Sequence, residues 1–188
     1  MMLAPLEVPG CLRVVADVHD DARGSLAKPY VATTFAAAGV WEPFRELFHS
    51  SSHAGVVRGM HVALPPDDGV KLVVCVVGEA LDVLVDLRRG SPAYGRPAAF
   101  NLRGPGDGLV VAAGVAHGFA ALTEGCVMSY GTVGEHAAAT DAGVRFDSIG
   151  FAWPFDRPLV SERDAALPTL AEFVSPFVFG PEPGEEEP

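Results

Sequence analysis

The stretch Lys71-Leu-Val-Val-Cys-Val-Val-Gly-Glu-Ala-Leu-Asp-Val-Leu-Val-Asp86 decides the fold of this chain. It contains two strand-like runs, 72–77 and 80–86, on either side of Gly78 and Glu79. Two β-rich runs separated by a glycine-containing pair predict a β-hairpin. We therefore expect antiparallel strands here, with this hairpin at the centre of the sheet.

Three basic residues lie in or near this apolar stretch: Arg58, His61 and Lys71. A sheet interior normally excludes charge unless the charge is paired or faces a cavity. Conflicts of this kind between a local rule and the sequence tend to occur at functional sites. We therefore expect the site near residues 56–92.

Short strand-like segments continue on both sides of the central stretch. They lie within 1–20 (a weakly alternating edge strand) and at 98–102, 108–123 (two strands joined by a tight turn) and 126–133. Many short strands with little helix favour a β-sandwich or jelly roll. The predicted fold class is all-β, an antiparallel jelly roll whose pocket lies inside the barrel.

A few segments do not have the strand pattern. Residues 36–39 predict a helical turn ending at Gly39, and 49–53 (His-Ser-Ser-Ser-His) predict a polar loop. Ser161 is an N-cap candidate for a short helix that Pro168 would end, and 168–174 are expected to form a last short helix. These would be short C-terminal helices on the jelly roll.

Length and charge define the domain and exclude some partners. The 188 residues suit a single domain, which we place at 1–175, and the composition of 176–188 predicts an acidic, disordered tail. The net charge of −11 argues against a nucleic-acid partner, because binding to phosphates needs a basic surface. The longest apolar run, 72–77, is far below the ~20 residues of a membrane helix. No membrane contact and no signal peptide are expected.

Cysteine usage indicates the compartment. Cys11, Cys75 and Cys126 are odd in number and lack CxxC spacing. They are typical of small buried apolar residues in a reducing environment. We therefore expect a cytoplasmic protein.

Four side chains are candidates for chemistry: His61, Lys71, His117 and Tyr130. Taken singly, each is more often a hydrogen-bonded core residue or a solvated strand end. Metal-binding jelly rolls usually offer His-x-His, but Ala63 stands two residues after His61. We predict neither a metal site nor a cofactor.

Nine strings occur in order across residues 14 to 170. They are Asp-Ala-Arg-Gly (21–24), Arg-Gly-Met-His (58–61), Lys-Leu-Val (71–73), Gly-Glu-Ala-Leu-Asp-Val-Leu-Val-Asp-Leu-Arg (78–88), Ser-Pro-Ala-Tyr-Gly (91–95), Ala-His-Gly-Phe (116–119), Tyr130, Ile-Gly-Phe-Ala-Trp-Pro (149–154) and Ser-Glu-Arg-Asp (161–164). The Arg-Gly-Met-His string, followed ten residues later by Lys-Leu-Val, is the most specific part of the pattern. Together the strings resemble the dTDP-4-dehydrorhamnose 3,5-epimerases and their relatives in deoxysugar biosynthesis.

The resemblance implies a cupin-type jelly roll, usually a homodimer, that acts on a nucleotide-linked 4-keto-6-deoxyhexose without a metal. It implies that His61 is the general base, that Asp164 is its carboxylate partner, and that Lys71 lies beside the sugar carbonyl. Tyr130 is implied as the acid on the opposite face. It also implies that Arg23 and Arg58 bind the diphosphate and that His117 is a pocket histidine that helps to hold the ligand.

These residue types suit proton transfer next to a ketone. A neutral imidazole can remove an α-proton, and an aspartate fixes its tautomer. A lysine can stabilise the enolate oxygen in a water-poor barrel, and a second group must return the proton for inversion. Two other classes stay open: a sugar-binding cupin that lost the chemistry, and an enzyme using the same groups for ketoisomerisation or on a non-sugar substrate.

The chain departs from the family pattern at positions that surround the ligand. The departures are His19, Lys28, Glu46, Phe48 and His136. Lys28 replaces an acceptor with a donor, and Phe48 replaces an amide with apolar bulk. Chemistry retained within a changed binding shell suggests another ligand, such as a modified deoxysugar. Drift at a tolerant pocket rim is the alternative.

Overall fold

A computed structural model describes residues 1–180, and it contains two antiparallel sheets packed face to face. The six-stranded sheet has the order β1 (Met2–Pro5), β2 (Leu12–Val15), β10 (Asp107–Val111), β7 (Lys71–Val77), β12 (Cys126–Thr132), β5 (Glu46–Ser52). The five-stranded sheet has the order β13 (Asp141–Gly143), β6 (Val57–Ala63), β11 (Val115–Ala121), β8 (Glu79–Asp86), β9 (Pro97–Arg103). The predicted all-β antiparallel jelly roll is confirmed.

The remaining elements lie outside the two large sheets. Strands β3 (Val18–Asp21) and β4 (Gly24–Ala27) form a separate two-stranded ribbon. Two helices, α1 (Ala32–Ala37) and α2 (Glu162–Ala165), and a 3₁₀ turn at Phe146–Ser148 complete the fold. In residues 1–180, no helix has the length and apolar character needed to cross a membrane.

The predicted hairpin at 72–86 is wrong, although both of its strands exist. Strand β7 pairs with β10 and β12, whereas β8 pairs with β11 and β9 in the other sheet. At Gly78 (φ 80°) the chain crosses between the sheets, and a Cβ there would lie 2.3 Å from Thr123 Oγ1. Both strands are buried on both faces over most of their length, so their sequence reports burial but not the identity of the partner strand.

Apolar side chains fill three layers. The layer between the sheets contains Val73, Leu84, Phe119, Met128 and Tyr130. The outer face of the five-stranded sheet is covered by the C-terminal segment, and its cluster includes Ile149, Trp153 and Phe177. The outer face of the six-stranded sheet is covered by Phe35 of α1, with Tyr30 and Phe44 packed against it.

Two local expectations hold and two are wrong. Helix α1 is followed by Gly39 at φ 88°, and the Ser161 side chain caps α2. The expected polar loop at 49–53 lies mostly within β5, because an edge strand tolerates polar side chains. The segment 168–174 forms turns rather than a helix.

The first part of the expected disordered tail is packed. Phe177 is only 6% exposed, its carbonyl accepts a hydrogen bond from Arg89 N–H, and Phe179 N–H donates to the Arg89 carbonyl. The predicted boundary after residue 175 therefore falls inside an ordered segment, because an aromatic side chain buried in the outer layer fixes the backbone on both sides. The rest of the predicted tail, 181–188, lies outside the described residues.

Candidate active site

The sheet register places one row of side chains along the floor of a cavity. Thr132 of β12 pairs with Glu46 of β5 on one side and with Lys71 of β7 on the other, and Lys71 pairs with Val111 of β10. All four line a cavity of about 230 Å³. The cavity is small beside the ~300–1,000 Å³ of typical ligand pockets, so it suits a sugar ring better than a whole nucleotide sugar.

His61 and Asp164 form a dyad at the cavity wall. His61 lies on β6, and its Nε2 is 2.8 Å from Asp164 Oδ1. The other oxygen, Oδ2, accepts a hydrogen bond from Gly59 N–H at 3.1 Å. The Ser161 hydroxyl accepts from Asp164 N–H, so the N-cap that begins α2 also fixes this carboxylate. His61 lines the cavity, and the Asp164 side chain behind it is 5% exposed.

The surroundings of Asp164 keep it ionised. Burial alone would raise the pKa of this carboxyl, but the hydrogen bond and charge of His61, the Gly59 N–H and the nearby Arg163 outweigh it. The net effect lowers the pKa of Asp164 from 3.8 to about 2. The aspartate is therefore an anion throughout the neutral range, as a partner to an imidazole must be.

Sequence reasoning missed Arg163, which borders the dyad and lines the cavity. Its Nη1 is 2.9 Å from His61 Nε2 and 3.3 Å from Asp164 Oδ1, and its Nη2 is 2.6 Å from Asp141 Oδ2. The string Ser-Glu-Arg-Asp contained this arginine, but its neighbours in space come from β6 and β13. Only the fold brings them together.

Lys71 is the first residue of β7 and lies inside the barrel. Burial lowers the pKa of its ammonium group, and the charges of Asp141 and Asp82 oppose that effect. Lys71 and His61 line the same cavity. A desolvated lysine beside a histidine and aspartate is the arrangement expected where negative charge develops on a bound oxygen.

Tyr130 lies on the same face of β12 as Thr132, is 7% exposed, and is not among the residues that line the cavity. Its ring stacks on Phe48 with the centroids 4.8 Å apart, and its hydroxyl is 3.3 Å from Ser50 Oγ. Burial raises the pKa of this phenol above its ordinary value, which a hydrogen bond with Ser50 only partly opposes. Tyr130 therefore stays protonated at neutral pH and can act only as a proton donor in its resting form.

His117 is buried beside Tyr130 rather than at the cavity wall. Its Nε2 is 2.7 Å from Asp82 Oδ2, and its ring centroid is 6.2 Å from that of Tyr130. Burial raises the pKa of Asp82, although the charges of His117 and Lys71 oppose it. Asp82 Oδ1 has no hydrogen-bond partner within residues 1–180. The His117–Asp82 pair therefore lies behind the cavity and supports the floor of the site.

The predicted diphosphate ligands Arg23 and Arg58, and the predicted binding-shell residue Lys28, do not line the cavity. Arg58 donates to Ser52 Oγ and the Ser51 carbonyl at the surface. Arg23 and Lys28 belong to the exposed ribbon β3–β4 and its end, and the Arg23 side chain is 89% exposed in an ion pair with Asp21. Within one chain, the structure leaves these three cations apart from the dyad.

Three of the predicted ligand-shell positions do line the cavity: Glu46, Phe48 and His136. Glu46 Oε2 accepts a hydrogen bond from His136 N–H at 3.2 Å, which ties β5 to the loop above the cavity. Sequence reasoning missed the other acidic residues of the lining, because they come from two separate loops and β13. These are Asp67, Asp68, Glu135 and Asp141.

The acidic lining does not by itself indicate a metal. In the described part of the chain, no group of three or more His, Cys, Asp or Glu side chains is arranged to hold a metal ion. The expectation of a metal-free and cofactor-free site stays a prediction.

Known proteins resemble this chain in sequence. The pattern of the family described as dTDP-4-dehydrorhamnose 3,5-epimerase matches residues 5–172. A dTDP-4-dehydrorhamnose 3,5-epimerase of Streptomyces griseus is 37% identical over 174 residues, which cover 90% of this chain and 87% of the relative. A dTDP-4-dehydrorhamnose 3-epimerase of Streptomyces niveus is 35% identical over 177 residues, covering 92% and 85%.

Solved structures also resemble the fold of this chain. NovW, a 4-keto-6-deoxy sugar epimerase from the novobiocin gene cluster of Streptomyces spheroides, superposes with a TM-score of 0.87 at 34% identity. The match covers 92% of this chain and 88% of NovW. ChmJ, a 3′-monoepimerase of Streptomyces bikiniensis in complex with dTDP-quinovose, gives 0.83 at 32% identity, covering 89% and 87%.

Proposed function

This chain belongs to the dTDP-4-dehydrorhamnose 3,5-epimerase family, a family of isomerases with a cupin fold, and we propose that it epimerises a dTDP-4-keto-6-deoxyhexose. The reaction inverts one or both carbons next to the 4-keto group. The observation that carries this proposal is the His61–Asp164 hydrogen bond at the wall of a cavity that Lys71 shares. A base, its anion and a partly buried cation are the parts that such a proton transfer needs.

His61 removes the proton. Its Nε2 is engaged by Asp164, which leaves Nδ1 as the basic atom, and Nδ1 accepts the α-proton while the C–H electron pair moves into the sugar. Asp164 stabilises the imidazolium that forms, because its low pKa keeps it negative. The C4 oxygen becomes an enolate oxygen, and the Lys71 ammonium compensates its charge in the cavity.

Tyr130 returns the proton from the other face. Its O–H donates to the carbon of the enolate and the C4 carbonyl re-forms, after which the phenolate takes a proton from solvent and the His61 imidazolium releases one to it. Tyr130 does not line the cavity itself, but its place on β12, on the same face as Thr132 of the cavity floor and in the sheet opposite β6, supports this role. Because His61 and Tyr130 belong to opposing sheets, a planar enolate between them has one proton-transfer group on each side.

The nucleotide lies outside the small cavity. We assign the diphosphate to Arg58 and to Arg23 of a second copy, with Lys28 of that copy beside the nucleotide base, in a homodimer in which each ribbon β3–β4 reaches the neighbouring site. The exposure of the ribbon and the absence of Arg23 from the cavity lining of its own chain support this assignment. Arginine and lysine suit a diphosphate through charge-assisted hydrogen bonds.

The cavity lining supports a changed ligand. Glu46, Phe48 and His136, three of the departures from the family pattern, line it, whereas the fourth and fifth, His19 and Lys28, lie on the ribbon and at its end. Phe48 lines the cavity and stacks on Tyr130, so it brings apolar bulk to the site. We assign a modified deoxysugar from secondary metabolism as substrate, with lower activity on dTDP-4-keto-6-deoxyglucose.

The cysteines support a location for the enzyme. The three cysteines are free and buried. That state suits a reducing compartment, and we place the enzyme in the cytoplasm.

The test is incubation with a panel of 4-keto nucleotide sugars in deuterated water. We expect deuterium at the inverted carbon or carbons, and loss of that label by about 10² to 10⁴ in His61→Ala. Exchange without inversion would favour a different proton transfer, and binding without exchange would favour a sugar-binding protein. Turnover of dTDP-4-keto-6-deoxyglucose at the rate of ordinary family members would refute the changed ligand.

A further inference from the structure

One nitrogen of His61 has two partners that exclude each other. Asp164 Oδ1 lies 2.8 Å and Arg163 Nη1 lies 2.9 Å from the same Nε2 atom. A carboxylate only accepts, so its hydrogen bond requires a proton on Nε2. A guanidinium only donates, so its hydrogen bond requires a lone pair on Nε2. A single ring nitrogen satisfies one of them at a time.

The two hydrogen bonds correspond to the two neutral tautomers of the imidazole. With the proton on Nε2, His61 donates to Asp164 and Nδ1 has the lone pair that a base needs. With the proton on Nδ1, His61 accepts from Arg163 and has no lone pair left for the substrate. The choice of partner is therefore a choice between a ready base and an idle one.

We propose that Arg163 is a positioning residue that competes with Asp164 for Nε2 of His61 and so sets the fraction of enzyme whose base is ready. Arg163 is placed to compete because Asp141 of β13 holds its other nitrogen at 2.6 Å. Its Nη1 also lies 3.3 Å from Asp164 Oδ1, so the guanidinium moves little between the two partners.

A purely structural role for Arg163 makes the opposite prediction. As an anchor between α2 and β13, it would hold Asp164 in place, and its loss would weaken the hydrogen bond from Nε2–H to Asp164. As a competitor, its loss strengthens that hydrogen bond. The direction of the change in tautomer therefore distinguishes the two roles.

The experiment measures the tautomer by ¹H–¹⁵N NMR of the histidine ring in the full chain, at a pH where the ring is neutral. His61 is assigned by its absence in His61→Gln. We expect the wild type to give averaged nitrogen shifts, and Arg163→Gln to move them toward the Nε2–H form. Arg163→Lys, which keeps a donor without the fork, is expected to lie between the two. Arg145→Gln, which removes an arginine paired with Asp147 instead, is expected to match the wild type.

Kinetics supply the second measurement, and this one rests on the proposed function. If the tautomers are equally populated, Arg163→Gln should raise kcat/KM about twofold, because the ready fraction doubles. Unchanged nitrogen shifts, or a move toward Nδ1–H, would overturn the competition. Because the NMR measurement needs no substrate, failure of every sugar in the panel would refute the proposed function and leave this result standing.

Discussion

Asp164 has a carboxyl pKa that the fold lowers, and this shift makes stability depend on pH. Its pKa is about 2 in the folded chain and 3.8 without its partners. A lowered carboxyl pKa contributes stability above the unfolded value and loses it as the pH falls through the folded one. The expected contribution is about 2 kcal/mol at neutral pH, lost between about pH 4 and pH 2.

Urea unfolding of the wild type and Asp164→Asn as a function of pH measures this contribution. The gap in the free energy of unfolding between the two proteins should be widest above about pH 5 and should close toward about pH 2. Parallel curves would show that Asp164 is not stabilised as an anion.

Tyr130 provides a second prediction at the scale of one side chain. Tyr130→Phe should keep exchange of the substrate proton with solvent, because His61 is untouched, and should lower inversion by about 10² to 10⁴. The measurement is deuterium incorporation beside product configuration. Tyr94→Phe, at an exposed position away from the cavity, is the matched control. Equal loss of exchange and inversion would assign Tyr130 another role.

Helix α2 has four residues, and its stability decides whether the dyad is aligned. The Ser161 cap accepts from Asp164 N–H, so Ser161→Ala should lower the free energy of unfolding by about 1 kcal/mol. It should also lower the rate of solvent exchange, because the carboxylate loses its fixed position. Ser161→Thr restores a capping hydroxyl and should restore both. Full activity in Ser161→Ala would show that packing alone holds α2.

Elements differ in how far the sequence predicts them. Strands β7, β8 and β12 are evident from their apolar runs, and the sequence motifs around His61 and Lys71 are enough to indicate a site between them. The partner of each strand was not predictable, because Gly78 permits either a hairpin or a crossing and a strand buried on both faces suits both. Arg163 was missed for a related reason, since its importance depends on Asp141, which is distant in sequence.

At the scale of the whole molecule, the assignment of Arg23 to a neighbouring site makes a prediction about mixed dimers. Arg23→Ala and His61→Ala should each be nearly inactive below KM. In a mixed dimer, one site has both residues intact, so random exchange of subunits should restore about a quarter of wild-type activity. The measurement is activity after mixing and subunit exchange.

A mixture of His61→Ala with Asp164→Ala serves as the control for that experiment. Both residues act within the chain that carries them, so every site of a mixed dimer lacks one of them and the mixture should stay inactive. Recovery in this control, or none with Arg23→Ala despite proven exchange, would contradict the shared site.

The crossing at Gly78 also governs how the chain reaches its fold. Lys71 of β7 pairs with Val111 and Thr132, which are distant in the sequence. Closing these long loops costs chain entropy before any contact stabilises the strand. Topologies of this kind fold slowly, in milliseconds to seconds. During that interval the run 72–77 is an unpaired, uncharged and β-prone segment, and such segments aggregate. Refolding yield should therefore fall with protein concentration, and Val77→Lys, at a position 51% exposed in the folded chain, should raise it.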